Sequence, residues 1–333
     1  MDSNIKKLRQ RFVKDYNLPI NIFEEKYFEY YRSLYPFFPN DKWEALVEKI
    51  GTEYNGNVER WLDYCAEFRD RAILETMKTP EYIEFNTCDM SKYDMPYDVP
   101  NIGEHSIYNE ATDGMFFVSI DLKKANFQAL KYVGVLNDET YDDFVKRFGG
   151  DDYIAGSKYL RQVVFGKMNP GRTVKVEKYI MGKIYLLVKK FFDDMGYELY
   201  SINSDELIFA EKNYAMFERE GSSKNIETIE KMIKDNLGID ARVEYIYVKR
   251  LDIVNANGNK VDAYVKHLVN TGEETLKKTS TTFYPQVYKL WQGLTPALID
   301  RAFFFEDQIA TFNEPLRYAD ISNERPTRAF SRD

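Results

Sequence analysis

Two short acidic stretches could do chemistry. In FFVSIDLKKANFQAL, Asp121 closes a run of apolar residues, and in YSINSDELIF, Asp205 and Glu206 sit between two such runs. Carboxylate oxygens are the ligands that hard cations such as Mg²⁺ and Mn²⁺ prefer. Two Mg²⁺ about 3.5–4 Å apart clamp the attacking and leaving oxygens of a phosphoryl or nucleotidyl transfer, and acids from two strands can bridge them. The chain has only two histidines, His105 and His267, and two cysteines, Cys65 and Cys88. A Cys/His zinc site cannot be assembled from these, so any metal must be held by oxygen. Each stretch alone has a plainer reading. An Asp after a strand usually caps a helix, and Asp-Glu at a hairpin is usually a solvated turn. The two gain meaning as a pair.

The elements around them decide whether they can meet. MFFVSID, ending at Asp121, reads as a buried strand. Helical segments follow: YDDFVKRFG to Gly149, SKYLRQVVFGKM ending near Pro170, and a long one from Val174 to Gly196. YELYSIN and DELIFAEK then read as two strands with almost no spacer. In NIETIEKMIKDNLG, Ile226, Ile229, Met232, Ile233 and Leu237 fall on one helix face, with Gly238 as the stop. RVEYIYVKR alternates as a strand should. Strand, helices, strand, strand, helix, strand is the βαββαβ plan. In that plan the first strand and the hairpin are central neighbours, so Asp121, Asp205 and Glu206 are expected at one end of the sheet.

In this order and context, SIDLKKANFQAL resembles motif A, and NSDEL at a hairpin turn resembles motif C, of the palm domain shared by polymerases, reverse transcriptases and related nucleotidyltransferases. The resemblance covers roughly residues 115–250 and is to a superfamily. Glu206 departs from it, since many palms carry a second Asp there. The resemblance implies an α+β palm, an antiparallel sheet with helices on one face. It implies Asp121, Asp205 and Glu206 as catalytic acids and Asp121, Leu122, Asp205 and Glu206 as the metal set for Mg²⁺ or Mn²⁺. The residues after Asp121, namely Leu122, Lys123, Asn126 and Phe127, would run along the incoming nucleotide. Asn126 would lie under its sugar, where a small hydrogen-bonding residue admits a 2′-OH. After a one-residue shift, Phe127 would take that place.

Between Lys158 and Lys190 there are nine Lys or Arg and one acid, Glu177, although the whole chain has a net charge of −8. In palms a fingers element here brings cations to the triphosphate. Arg161, Lys167 and Arg172 are the candidates, since Arg forks onto phosphate oxygens. Lys175, Lys178, Lys189 and Lys190 read as a solvated helix face. RFGGDDYIAG at 147–156 resembles the GGDEF or GGDD turn of cyclic-dinucleotide synthases, also palm enzymes. The preceding helix pattern favours a helix end at Gly149-Gly150, with Asp151 and Asp152 solvated.

The organisation expected is a helical region at 1–90, a connection at 91–114, the core at 115–250 with a helical insertion at about 139–195, and a C-terminal addition at 251–333. That addition holds a hairpin, RLDIVNANGNKVDAYVKHL, turning at Asn257-Gly258, then a helical tail with a frayed polar end. No stretch of about 18 apolar residues exists, the polar start MDSNIKKLRQ has no signal character, and two cysteines suit a reducing cytoplasm. The expected substrates are nucleoside triphosphates with a DNA or RNA primer and template, and the N-terminal helices could seat a protein partner. Synthesis of a nucleotide messenger, or a palm kept only for binding or assembly, are the alternatives.

Overall fold

The computed structural model describes residues 2–211, 222–306 and 308–319. The expected frayed end, from Ile321 to Asp333, and Lys212 of DELIFAEK lie outside the described residues. The chain is mixed α+β. Five helices come first: α1 Asp2–Asp15, α2 Glu25–Leu34, α3 Asn40–Glu53, α4 Val58–Met77 and α5 Pro80–Thr87. β1 is Phe116–Leu122, followed by α6 Ala125–Tyr132, α7 Tyr141–Arg147, α8 Asp152–Gly156, α9 Lys158–Gly166 and α10 Pro170–Asp194. Then come β2 Tyr197–Ile202, β3 Glu206–Glu211, α11 Ser222–Leu237 and β4 Ala241–Arg250. The remainder is β5 Ile253–Val254, β6 Lys260–Val261, β7 Tyr264–Leu268, β8 Glu274–Lys277, α12 Tyr284–Trp291, β9 Ala302–Phe305, β10 Gln308–Thr311 and β11 Arg317–Tyr318.

The main sheet is antiparallel, in the order β2-β3-β1-β4-β7-β8. β1 is central, so FFVSIDL is buried on both faces and reads as a nearly unbroken apolar run. Val118, Ile120 and Leu122 face the helices, where Leu207, Phe209, Val243 and Tyr245 join them in one core with α10 and α11. Phe117 faces the other way with Ile208, Ile246 and Val248. Helices therefore cover one face, as expected. The connection covers half of the other, through Ile107 and Tyr108. Asp113 anchors it, bonding Lys249 Nζ at 3.0 Å and the Arg250 amide at 2.8 Å. Gly182 on α10 is required by the same connection, because a Cβ there would stand 2.6 Å from Met95 Sδ and 2.7 Å from Pro96 Cδ.

The boundary expected at 250 is not where the sheet ends. β5 and β6 form the tight hairpin around Asn257-Gly258, with Gly258 at φ +78. Residues 264–268 leave that hairpin, pair with β4 and bring β8 alongside. In a four-stranded sheet β4 would expose an unpaired edge, and β7 covers it. The N-terminal helices are not a detached arm either, since Phe12, Trp61 and Phe68 share the core of Phe144, Phe165 and Ile180. Asp15, fully buried, accepts from Ser157 Oγ at 2.6 Å, Tyr153 Oη at 2.7 Å and Arg11 Nε at 2.8 Å, tying α1 to α8 and α9. Among the described residues no helix is long and apolar enough to cross a membrane.

Candidate active site

The site is built at the C-terminal end of β1. Asp121 pairs with Glu206 on β3 and with Arg242 on β4. The β2–β3 turn is closed by Asn203 N donating to Glu206 O at 2.8 Å, and Leu122 N donates to Asp205 O at 2.9 Å. This second bond ties the turn to the end of β1, so the three acids read from sequence share one end of the sheet. Side chains alternate along a strand, which puts Ser119, Asp121, Glu206, Arg242 and Glu244 on the face away from the helices. That face is divided. Its apolar half lies under Ile107 and Tyr108, and its polar half carries the acids.

Asp121, Glu206 and Glu244 each have a close partner, whereas Asp205 Oδ1 has only Ser204 Oγ at 3.4 Å. Arg242 Nη2 donates to Asp121 Oδ2 at 3.1 Å, and its Nε stands 3.6 Å from Glu244 Oε1. Glu244 also pairs with Lys266 from β7. Ser119 Oγ donates to Glu206 Oε1 at 2.6 Å. Burial pushes the Asp121 carboxyl up to about 6; Arg242 opposes the rise, and Glu206, Asp205 and Glu244 add to it. Burial also raises Glu206, against the hydrogen bond from Ser119 and the charge of Lys266, with Asp205 and Glu244 adding. On the helix side, Glu177 of α10 accepts from Asn126 Nδ2 at 2.6 Å and is pushed up to about 7 by burial and then by Asp205.

As placed, no group of three acids, histidines or cysteines among the described residues is arranged to hold a metal ion. Asp121, Glu206 and Glu244 turn their oxygens to Arg242, Ser119 and Lys266 instead. The donor chemistry nonetheless suits a hard divalent cation, since all the donors are carboxylate oxygens and they crowd one another electrostatically.

The nucleotide candidates separate. Lys123 is exposed, and Leu122 has its side chain in the core, so only its main chain could face the site. Phe127 is 3% exposed and packs on Tyr141, Phe144 and Phe165, which removes it as an alternative beneath the sugar. Asn126, in the first turn of α6, stays partly accessible. Arg161 on α9 has no ion-pair partner among the described residues. Burial lowers its pKa, and its guanidinium carbon lies 5.7 Å from the Tyr141 ring centre. Lys124 Nζ is 4.9 Å from the same ring, whose hydroxyl is buried and has no hydrogen-bond partner among the described residues. Lys167 is exposed at the end of α9.

Arg172 does not face this site. Its Nε donates to Phe85 O at 2.8 Å, and its Nη2 donates to Cys88 O and lies 3.3 Å from Cys88 Sγ. It caps the C-terminus of α5, where unpaired carbonyls attract a cation. Arg172→Ala should therefore lower unfolding stability by about 1–3 kcal/mol in denaturant titration and leave nucleotide KM unchanged. A raised KM at unchanged stability would return Arg172 to the site. Of the cations read as solvated, Lys178, Lys189 and Lys190 are exposed, and Lys175 pairs with Asp94.

The Gly149-Gly150 reading as a helix end holds: α7 stops at Arg147 and Gly149 takes φ +74. Asp151 is not solvated, however. It caps α8 by accepting from Ile154 N at 2.9 Å and pairs with Lys49 at 2.9 Å. The sequence reading missed Glu244, Glu177, Tyr141, Lys266 and Lys277. Burial, then the charge of Lys266, holds Lys277 below its ordinary range, and Arg242 and Lys158 add to this. Only the alternation in RVEYIYVKR could have pointed to Glu244. No family model matches the chain, and no curated protein is significantly similar to it.

Proposed function

We propose that the protein is a palm-type nucleotidyltransferase that uses Mg²⁺ or Mn²⁺ and nucleoside triphosphates to extend a nucleic-acid strand. The observation that carries this reading is the meeting of Asp121, at the end of β1, with the Asp205-Glu206 turn of the neighbouring hairpin, in a sheet ordered β2-β3-β1-β4. Asp121 and Asp205, with Glu206 and the Leu122 main chain beside them, would hold the metal ions. Bound there, the ions supply charge neutralisation at the attacking and leaving oxygens. The protein's own work is then mostly positioning. Arg161, with no carboxylate partner among the described residues, would take triphosphate oxygens. Lys158, three residues before Arg161 on α9, and Lys277 of β8, which feels its charge, would face the phosphates of an acceptor strand. These cations favour strand extension over synthesis of a small messenger.

The test is incubation with labelled NTPs or dNTPs and Mg²⁺, with and without a primed template. Primer extension is the expected result. A small cyclic or linear product made without primer would mean messenger synthesis, and no turnover would mean a palm used for binding alone.

Asn126 offers a sharper check. Its Nδ2 is committed to Glu177, which leaves Oδ1 free to accept from a sugar hydroxyl. Asn126→Tyr should place a ring where a 2′-OH would go. It should lower NTP use relative to dNTP use by roughly 5- to 150-fold, the range of a clash or a lost buried hydrogen bond. Comparing incorporation by wild type and variant under one metal condition reads this directly. An unmoved ratio removes Asn126 from beneath the sugar.

A further inference from the structure

We propose that Arg242 is an internal counter-ion of the acidic site, which a divalent metal must displace from Asp121 before the site can fill. This rests on the reading of Asp121 as a metal ligand. Arg242 stands directly opposite Asp121 in the β1–β4 register, and Asp121, Arg242, Glu244 and Lys266 form an unbroken run of opposite charges across three strands. Glu206 is engaged separately by Ser119. These bonds explain why Asp121, Glu206 and Glu244 do not stand as a ligand set: each is turned towards a partner supplied by the protein.

The two sides of the Arg242–Asp121 pair are unequal. The Arg242 side chain is 53% exposed, and that of Asp121 only 29%. An exposed guanidinium loses little by swinging into water, because surface ion pairs contribute at most about 1 kcal/mol. The carboxylate it leaves is half-buried among Glu206, Asp205 and Glu244 and needs a cation. Arg242 also has somewhere to go, since Glu244 is already within 3.6 Å of its Nε. Arginine keeps its charge at every physiological pH, so its own deprotonation does not release it, whereas a competing cation can. A divalent ion is the stronger competitor at a crowded oxygen site. Arg242 would thus set the metal concentration at which the site fills.

The experiment is Mn²⁺ binding, by calorimetry or by loss of the free-ion resonance signal, at one ionic strength. It compares the full-length wild type with Arg242→Gln, Arg242→Lys and Asp121→Asn. Arg242→Gln should bind Mn²⁺ about fivefold more tightly, the factor expected from losing a competitor held by about 1 kcal/mol. Arg242→Lys should fall between, and Asp121→Asn should lose the site. If Arg242→Gln does not fold, Arg242→Lys carries the comparison. Asp121-dependent binding that is unchanged or weaker in the Arg242 variants overturns the counter-ion role and leaves the metal site standing. If neither wild type nor the Arg242 variants bind Mn²⁺ at millimolar concentration, the metal site itself is refuted and the counter-ion role with it.

Discussion

Asp121→Ala and Asp205→Ala should each abolish Mg²⁺-dependent nucleotide turnover, with rates falling on the order of a thousandfold or more. A lost metal contact removes several kcal/mol of transition-state stabilisation, and each 1.4 kcal/mol is about tenfold in rate. The fold should survive both changes. The Asp121 side chain is partly exposed and its partner Arg242 is mostly in water, so neither is left buried and alone. The β2–β3 turn is held by main-chain bonds, which Asp205→Ala keeps. Glu206→Ala should cost less than Asp205→Ala, because one of its oxygens is engaged by Ser119 and its metal role is secondary. The check is initial rates across a Mg²⁺ series, with circular dichroism and melting as controls on the fold. Near-wild-type rates in both Asp variants would place the site elsewhere, and the reverse order at the turn would make Glu206 the principal ligand.

The second large effect is on stability and comes from Glu177. This carboxyl is 3% exposed in the middle of α10. Burial, then the charge of Asp205, pushes its pKa up to about 7, with the hydrogen bond from Asn126 opposing. A carboxyl raised in the folded protein holds a proton that the unfolded chain has released. Its favourable contribution is therefore complete below the unfolded value, about 4.5, and is lost as the pH rises through about 7. A difference of that size corresponds to about 3 kcal/mol against folding once the group is ionised. Glu177→Gln keeps the shape and a hydrogen bond to Asn126 but cannot ionise. Relative to wild type it should gain little at pH 4.5 and up to about 3 kcal/mol at pH 8. Asp121, pushed up to about 6, has the same sign over a lower window. Urea titrations of both proteins at the two pH values decide it. An equal difference at both would mean that Glu177 is not protonated in the folded protein, and the burial argument would fail.

What the sequence settled by itself is local. Asp121 at the end of MFFVSID, the turn between YELYSIN and DELIFAEK, and the helix face of 225–238 were legible because strand and helix periods, glycine stops and a tight turn act over a few residues. The same locality made Gly149 legible as a helix end. Chain order limited the sheet to few arrangements, which brought the three acids to one end. Where a polar side chain finds its partner was not legible, because that depends on residues far away in the chain. Arg172 looked like a phosphate ligand beside a basic helix, yet two main-chain oxygens 84 and 87 residues earlier claim it. Asp151 looked solvated until Lys49 on α3 came beside it. Glu177 is one acid in a basic segment, and only the packing of α10 against α6 buries it against Asn126. The pairing of β7 with β4 was equally hidden, since a strand of five residues carries no mark of the strand it will join. Hydrophobic periods are written along the chain, whereas burial and charge pairing exist only once distant segments have come together.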